Sequence, residues 1–250
     1  MRILITAGNT QTLIDRVRCI TNIFTGRTGT HLALHARDRG HAVTLLTSHP
    51  EVVAELHGAP LPPSEQWAVR PYRTFEDLQE QMDTALRNGS WDAVVHCAAV
   101  SDYRVAGVYA PAAGTRFVEA TGSWETTHAA RPALADRAAG KVKSDEPELW
   151  LRLTRTPKLI DRVRTDWAFA GVLVKFKLEV GVDDAHLLHT AERSRLQSAA
   201  DLLVANTLEG MASWAYLGPL AGRYERVSRP DLPARLFDAV EQRHRERAHG

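Results

Sequence analysis

The sequence predicts an α/β protein with a Rossmann-like parallel sheet, helices on both faces, and an inserted loop plus an antiparallel strand region. The first observation is that strand-like runs alternate with helical patterns at βαβ spacing in the N-terminal part. The second is that the strand-like run Val94–Ala98 is nearly continuous in apolar residues, as expected for a central strand covered on both faces. Hydrophobic residues make up 44% of the 250 residues, enough for one α/β core.

The N-terminal part contains three predicted strands separated by two predicted helices. The strand-like runs lie at residues 2–6, 42–47 and 92–98, and the helical patterns lie at 27–39 and 74–87. Gly40 follows the first helix, where a C-cap glycine is expected. Because a helix joins each strand to the next, neighbouring strands are expected to run parallel.

The middle of the chain has a different composition. Residues 104–140 are rich in Ala, Gly and Pro and show no clear period, which indicates an insertion or mobile loop within a single domain spanning residues 1–250. The later predicted elements are an alternating strand at 149–153, a short helix opening at Pro157, a strand near 171–179, a helix near 184–198, a strand at 201–206, strand-like pieces around Tyr216 and Tyr224, and a helix after Pro230.

Composition excludes several classes of partner. The formal net charge is +1, so the bulk charge indicates neither nucleic acid nor a membrane surface as a partner. No apolar run approaches the roughly 20 residues that span a bilayer. Two cysteines, Cys19 and Cys97, are too few for a disulfide framework, and the chain starts directly with a strand-like run rather than a signal peptide. We therefore expect a cytoplasmic protein.

The connection after the first strand lacks the usual nucleotide fingerprints. The turn at Gly8 has no GxGxxG spacing, the second strand ends without an acid for a ribose hydroxyl, and there is no P-loop and no Tyr-x-x-x-Lys pair. A long polar connection instead leads to Gly26 and Gly29 at the start of the first helix. Free backbone N–H groups there would seat a phosphate. The same glycines would equally serve tight turns and close packing.

Four blocks of sequence occur in the order found in one enzyme family. They are Ile5–Gly29, Ala98–Tyr103, Lys141–Ser144 with Thr156–Ile160, and Phe176–Glu179 with Ala200–Asn206. Together they resemble the phosphopantothenate-cysteine ligase family, and the last block is similar to its monofunctional bacterial and eukaryotic branches. The matched blocks cover most of the chain outside residues 104–140.

The resemblance implies one ligase domain that makes phosphopantothenoylcysteine for coenzyme A biosynthesis. In that family the carboxylate of 4′-phosphopantothenate is activated as an acyl-nucleotide with loss of pyrophosphate, and the amine of cysteine then displaces the nucleotide. ATP or CTP is the implied co-substrate and Mg²⁺ the implied ion. No flavin is expected, because this chain has no room for the decarboxylase domain of bifunctional relatives. Family members pair through sheet elements, so a homodimer is expected, with the strand at 149–153 as its exposed edge.

The resemblance also implies which residues carry the chemistry. Lys141, with Lys143 beside it, matches a lysine on a mobile loop over the nucleotide phosphates, where positive charge would stabilise the first transition state. Asn22 matches an asparagine that contacts the acyl intermediate during amine attack. From residue type alone, the lysines would also fit an exposed strand edge, and Asn22 would fit a turn cap.

The remaining implied site residues are nucleotide contacts and candidates for the substrate phosphate. The nucleotide contacts are Gly8, Ala98, Asp102, Lys143, Pro157, Lys158, Leu159, Ile160 and Phe176. Arg18 and Arg27 are candidates for the substrate phosphate, because guanidinium matches phosphate bidentately. The residues that would bind the metal ion are left unassigned.

Three departures from the family pattern keep an alternative open. Asn9 replaces a glycine and would bring a side chain into the pocket, Lys175 replaces a small residue, and the helix at 193–198 carries arginines where some relatives carry lysines. Arg193 or Arg195 would have to substitute for those lysines. The alternative is therefore a nucleotide-binding or regulatory protein that kept the fold and lost catalysis. A nicotinamide-dependent oxidoreductase is disfavoured by the missing fingerprint.

Overall fold

The computed structural model describes residues 1–127 and 130–249. Its strands are β1 (Arg2–Ala7), β2 (Gln11–Leu13), β3 (Cys19–Thr21), β4 (Ala42–Thr47), β5 (Trp67–Pro71), β6 (Ala93–His96), β7 (Tyr103–Pro111), β8 (Thr115–Val118), β9 (Ser123–Thr126), β10 (Leu134–Asp136), β11 (Trp150–Arg155), β12 (Val172–Glu179), β13 (Leu202–Thr207), β14 (Trp214–Leu220) and β15 (Arg223–Ser228). Its helices are α1 (Arg27–Asp38), α2 (Glu51–His57), α3 (Phe75–Asn88), α4 (Leu159–Thr165), α5 (Asp184–Gln197) and α6 (Leu232–His249).

These elements form two compact units. The first unit, called the sheet unit below, comprises Met1–Thr10, Ile23–Val100 and Lys158–Gly250. The second, called the strand unit, comprises Gln11–Asn22 and Ser101–Pro157. The expectation that residues 1–250 act as a single ligase domain stays a prediction.

The sheet unit is built on one eight-stranded sheet. Its strand order is β15-β14-β13-β12-β6-β1-β4-β5. The six strands from β13 to β5 run parallel, and β14 and β15 add an antiparallel hairpin at one side. Counted along the chain, the parallel strands follow the doubly wound order 3-2-1-4-5-6, whose switch point lies between β1 and β6. The predicted fold class, α/β with a mainly parallel sheet, is confirmed.

Helices cover both faces of this sheet. Alternate side chains of β1 separate the faces, since Ile3 and Ile5 belong to one buried cluster and Leu4 belongs to another. The first cluster contains Leu32 of α1 and Phe237 of α6, and the second contains residues of α3 and α4. Burial on both faces explains why the central strands are apolar along their whole length.

The strand unit contains the segment that the sequence predicted to be an irregular insertion or mobile loop. Within 104–140 the chain forms most of β7 together with β8, β9 and β10. β7 pairs antiparallel with β10 and β11, and β8 pairs with β9. Buried and exposed residues alternate in β7 only over a short stretch, since Val108 and Ala110 are its only buried residues. So short a pattern does not stand out in the sequence. The order β10-β7-β11 leaves β11 at an edge, as expected for the strand at 149–153.

Several short elements were not predicted from the sequence. The polar connection after Gly8 contains the β2–β3 hairpin, and the chain between β4 and α3 contains α2 and β5. Each of these elements is seven residues or fewer, which is too short to display a clear period. In residues 1–127 and 130–249, none of the helices combines the length and apolarity required to cross a bilayer.

Replacing Gly26 by alanine should destabilise the sheet unit far more than the same change at Gly40. Both glycines have a left-handed φ, of 80° and 85° respectively. A Cβ on Gly26 would lie 2.3 Å from the backbone nitrogen of Gly8, whereas one on Gly40 would have nothing within 4 Å. Gly40→Ala should therefore cost about 1 kcal/mol of unfolding free energy from backbone strain alone. Urea denaturation measures both variants, and equal losses would contradict the role of close packing at Gly26.

Candidate functional site

The carboxyl ends of β1 and β6 form the switch point of the sheet unit, and two predicted site residues meet there. The carbonyl of Gly8 accepts a hydrogen bond of 2.8 Å from the Ala99 amide. The Ala98 amide donates to the Thr6 hydroxyl at 3.2 Å. Ligands of open α/β sheets bind at such a point. The structure thus brings Gly8 and Ala98 together where the fold offers a crevice.

The first helix starts in close contact with this switch point. A Cβ on Gly29 would lie 2.7 Å from the Cβ of Ala7, and the Gly8 and Gly26 backbones also touch. The three glycines therefore serve close packing, which was one of the two explanations left open by the sequence. A phosphate seat at the start of α1 stays a prediction.

Asn9, which the sequence predicts to bring a side chain into the pocket, is hydrogen-bonded to Ser48. Its amide donates to the Ser48 hydroxyl at 2.9 Å, and that hydroxyl donates to Asn9 Oδ1 at 3.1 Å. The residue is buried, with 6% of its surface exposed. The hydrogen bonds to Ser48 hold the side chain toward the end of β4.

An arginine that the sequence did not single out lies at the start of α1. Arg229, which follows β15, donates from Nη2 to the Thr28 hydroxyl at 2.6 Å. Burial lowers the pKa of its guanidinium, and Cys97 at the end of β6 opposes that shift. Arg27, a predicted substrate-phosphate residue in the same turn, forms an exposed ion pair with Glu55 at 2.8 Å. Of these two arginines, Arg229 is the more buried, and it contacts the side chain of Thr28.

A buried polar row lies on the α3/α4 face of the sheet at its carboxyl edge. The Thr6 hydroxyl lies 2.9 Å from His96 Nδ1, and Lys175 lies opposite His96 in the β6–β12 register. Burial lowers the pKa of His96 to about 4, and the charge of Lys175 contributes. His96 is therefore neutral at physiological pH. The sequence analysis did not predict this group of buried polar residues. The one feature that could have indicated it is a histidine, His96, at the end of an apolar central strand.

Lys175 is anchored within the sheet unit. Its Nζ donates to the Ser194 carbonyl at 2.9 Å and to the Ser198 hydroxyl at 2.5 Å. Burial lowers the pKa of this lysine to about 8, and Asp161 opposes the shift. Arg195, a candidate to substitute for the missing lysines, donates from Nε and Nη2 to the Glu192 carboxylate and from Nη1 to the Ala200 carbonyl, and that substitution stays a prediction.

The predicted nucleotide contacts around α4 divide by exposure. Lys158 is exposed at the N-cap of α4, whereas Leu159 and Ile160 are buried in the core. Phe176 on β12 is half-buried and packs against the α1/α6 side of the core. Any contact that Leu159 and Ile160 make with a ligand would therefore come from their backbone.

In the strand unit, Asp102 lies next to the segment that contains Pro157. The Thr156 amide donates to the Asp102 carbonyl at 3.0 Å, and the Thr156 hydroxyl donates to the Ser101 carbonyl at 2.6 Å. The carboxylate of Asp102 is exposed. The pairing of β7 with β11 thus brings together two predicted site residues that are distant in the sequence.

Asn22 follows the β2–β3 hairpin directly. This hairpin contacts β7 through the Thr12 hydroxyl, which donates to the Tyr103 carbonyl at 3.0 Å. Asn22 is half-buried and is the last residue of the first segment of the strand unit, Gln11–Asn22. The connection between Gly8 and α1 is therefore not entirely irregular, and Asn22 directly follows its regular part, the β2–β3 hairpin.

Lys141 and Lys143 are both exposed, with the buried Val142 between them. The resemblance predicts a mobile loop here and makes Arg18 a candidate for the substrate phosphate. In the structure, Arg18 Nη2 donates to the Asp15 carboxylate at 2.6 Å and to the Val142 carbonyl at 2.6 Å. Arg18 therefore has a structural contact with the lysine segment, and its role at a substrate phosphate stays a prediction.

The described residues contain no group of three or more His, Cys, Asp or Glu side chains that could hold a metal ion. This arrangement still fits Mg²⁺ bound with a nucleotide, since that ion is commonly held by one or two carboxylates together with substrate phosphates. Asp102 is the exposed carboxylate among the predicted nucleotide contacts.

Comparison with known proteins gives a consistent result. Residues 1–111 match the family model of the DNA/pantothenate metabolism flavoprotein C-terminal domain. The chain is similar to the coenzyme A biosynthesis bifunctional protein CoaBC of Thermococcus kodakarensis, with 32% identity over 247 residues. It is also similar to CoaBC of Vibrio vulnificus, with 37% identity over 206 residues.

The chain corresponds to only part of these relatives. The alignment covers 96% of this chain but 51% of the Thermococcus protein, and 82% of this chain but 40% of the Vibrio protein. The chain thus spans about half the length, or less, of the curated relatives it matches.

Solved structures show the same fold. The DNA/pantothenate metabolism flavoprotein of Streptococcus pneumoniae superimposes with a TM-score of 0.74 at 26% identity, covering 97% of this chain and 99% of that one. A histidine-to-alanine mutant of Cab2 in complex with phosphopantothenate-cysteine gives a TM-score of 0.68 at 18% identity, covering 99% of this chain and 88% of that one.

Proposed function

We propose that this chain is a nucleotide-dependent phosphopantothenate-cysteine ligase, because its residues 1–111 match the family model of the DNA/pantothenate metabolism flavoprotein C-terminal domain. It joins the carboxylate of 4′-phosphopantothenate to the amine of cysteine in coenzyme A biosynthesis. The observation that carries this function is the similarity to CoaBC over 96% of this chain. The phosphopantothenate-cysteine bound to the Cab2 mutant, whose fold is similar, supports this substrate class.

The reaction has two steps in this proposal. The substrate carboxylate attacks the α-phosphate of ATP or CTP, which forms an acyl-nucleotide and releases pyrophosphate. The cysteine amine then attacks the acyl carbon, which forms the amide and releases the nucleoside monophosphate. The first step brings two anionic groups together, so it needs convergent positive charge.

In this proposal, two lysines supply the positive charge for the first step, and an asparagine supplies a hydrogen-bond donor for the second. Lys141 stabilises the charge that develops as pyrophosphate leaves, with Lys143 beside it. Asn22 donates to the acyl oxygen during amine attack without adding a charge that would repel the incoming amine. Gly8, Ala98 and Asp102 contact the nucleotide, as do the Pro157–Ile160 segment and Phe176. Mg²⁺, when bound with the nucleotide, would neutralise phosphate charge, with Asp102 as its carboxylate.

A homodimer is part of the proposal. β11 lies at the edge of the three-stranded sheet and exposes 45% of Leu153. An exposed edge strand with an apolar side chain is a ready surface for pairing with a second copy. Light scattering at micromolar concentration should give the mass of a dimer, and Leu153→Lys should shift it toward the monomer. A wild-type monomer would contradict this assembly.

We also propose that the enzyme works in the cytoplasm. Cys19 and Cys97 are both free thiols. Structural cysteines kept as thiols are typical of a reducing compartment.

The function is tested by turnover with defined substrates. Purified protein is mixed with phosphopantothenate, Mg²⁺ and either ATP or CTP, and pyrophosphate is measured before and after cysteine is added. The ligase requires both phosphopantothenate and a nucleotide for pyrophosphate release, and it requires cysteine for the amide product. Parallel assays with ATP and CTP identify the nucleotide. Nucleotide binding without pyrophosphate release would instead support the inactive alternative that the departures at Lys175 and 193–198 leave open.

A further inference from the structure

The segment that carries Lys141 and Lys143 is held by contacts within the strand unit at two places: at its ends, Arg137 and Glu146, called its base below, and near its middle, Gly140 to Val142, called its tip. At the base, Arg137 forms an ion pair with Glu146, and the Arg137 amide donates to the Val108 carbonyl of β7 at 2.8 Å. At the tip, Val142 is buried with 3% of its surface exposed. A loop closed by an ion pair and anchored by a buried side chain has few conformations available.

Three hydrogen bonds connect the tip to the turn between β2 and β3. The Arg16 amide donates to the Gly140 carbonyl at 3.0 Å. The Val142 amide donates to Asp15 Oδ2 at 3.0 Å, and Arg18 Nη2 donates to the Val142 carbonyl at 2.6 Å. Both polar groups of the Val142 backbone are therefore bound by the same side-chain pair.

The Asp15–Arg18 pair is itself held in one geometry. Asp15 Oδ1 accepts the amides of Val17 and Arg18 at 2.8 and 2.7 Å, and Oδ2 accepts Arg18 Nε and Nη2 at 3.0 and 2.6 Å. The Asp15 side chain has 0% exposure. The Arg18 guanidinium holds the pKa of this carboxyl well below its usual range, and the backbone amides contribute against the opposing effect of burial. The carboxylate therefore stays ionised at neutral pH.

We propose that Asp15 and Arg18 form a latch that fixes the backbone of Val142 and thereby positions Lys141 and Lys143 for the nucleotide phosphates. Because Val142 points inward, its two neighbours are presented outward on either side of the fixed peptide. Asp15 and Arg18 are positioning residues, since they act through the lysines. Their role in turnover rests on the proposed ligase function, whereas their hold on Val142 does not.

The first test measures the latch without any substrate. Hydrogen–deuterium exchange of the peptide covering residues 138–145 should be at least about 10-fold faster in Asp15→Asn than in wild type, because the Val142 amide loses its ionised acceptor. Glu125→Gln is the matched control. It removes an equivalent charge from an exposed ion pair with Arg116, at 3.0 Å, in the same unit. Unchanged exchange at 138–145 in Asp15→Asn would overturn the latch.

The second test is a double-mutant cycle on pyrophosphate release. Asp15→Asn alone should slow release about 10-fold or more through misplacement of the lysines. In a background that carries both Lys141→Ala and Lys143→Ala, the same change should have little further effect, because both groups that it positions are gone. Losses that multiply would overturn the positioning role even if exchange is faster. If Asp15→Asn does not fold, Arg18→Lys replaces it in both tests. This variant keeps the positive charge but lacks the planar guanidinium group that binds Asp15 and the Val142 carbonyl together. If wild type releases no pyrophosphate, the ligase function fails, and the exchange result still decides the latch.

Discussion

Lys141→Ala should suppress formation of the acyl-nucleotide by about 10²-fold or more while leaving the fold intact. The side chain is exposed, so its removal creates no cavity. Its charge is needed when pyrophosphate leaves, because negative charge then accumulates on the departing oxygen. Single-turnover release of pyrophosphate in the presence of phosphopantothenate and nucleotide, without cysteine, measures this step directly.

Two comparisons make the Lys141 result specific. Arg245→Ala removes a positive charge from the exposed end of α6 and should leave pyrophosphate release unchanged, which excludes a general effect of net charge. Lys141→Arg keeps the charge and should retain more activity than Lys141→Ala. If Lys141→Ala released pyrophosphate at the wild-type rate, Lys141 would have no role in the first step.

Much of the fold could be predicted from apolar periodicity. The runs at 2–6, 42–47 and 92–98 correspond to β1, β4 and β6, because a strand buried on both faces is apolar along its whole length. α3 begins at the predicted place because Thr74 and Asp77 form a capping box. β2 and β3 could not be predicted, since strands of three residues display too little of any period.

The sequence suggests candidate site residues one by one, and their roles stay predictions, but it does not indicate the contacts among them. Lys141 and Lys143 fit an exposed position by residue type, and both are exposed in the structure. The sequence does not indicate that Asp15 binds the Val142 amide, because these residues are 127 positions apart. Arg229 was missed for the same reason, since its partner Thr28 is 201 positions away. The contact between Arg18 and Asp15 was not predicted either, because an arginine's residue type does not reveal a neighbouring carboxylate.

Asn22→Ala should act after the step that Lys141 serves. Pyrophosphate release in a single turnover should persist, whereas the cysteine-dependent step should slow by about 10²-fold or more, because an amide donor to the acyl oxygen is lost. The acyl-nucleotide should then accumulate. Quenching the reaction and separating the nucleotides by chromatography detects the accumulated intermediate.

The position of Asn22 supports a role in the second step that differs from that of the lysines. It directly follows the β2–β3 hairpin in the chain before Gly26 and α1, whereas Lys141 lies more than 100 residues later, beyond β7 to β10. Asn22→Asp is the matched variant. It preserves size but replaces the donor with a negative charge, so it should impair amine attack at least as strongly as alanine does. If Asn22→Ala instead abolished pyrophosphate release while the protein remained folded and bound nucleotide normally, Asn22 would belong to the first step or to the structure of the turn, and the division of labour between Asn22 and Lys141 would be wrong.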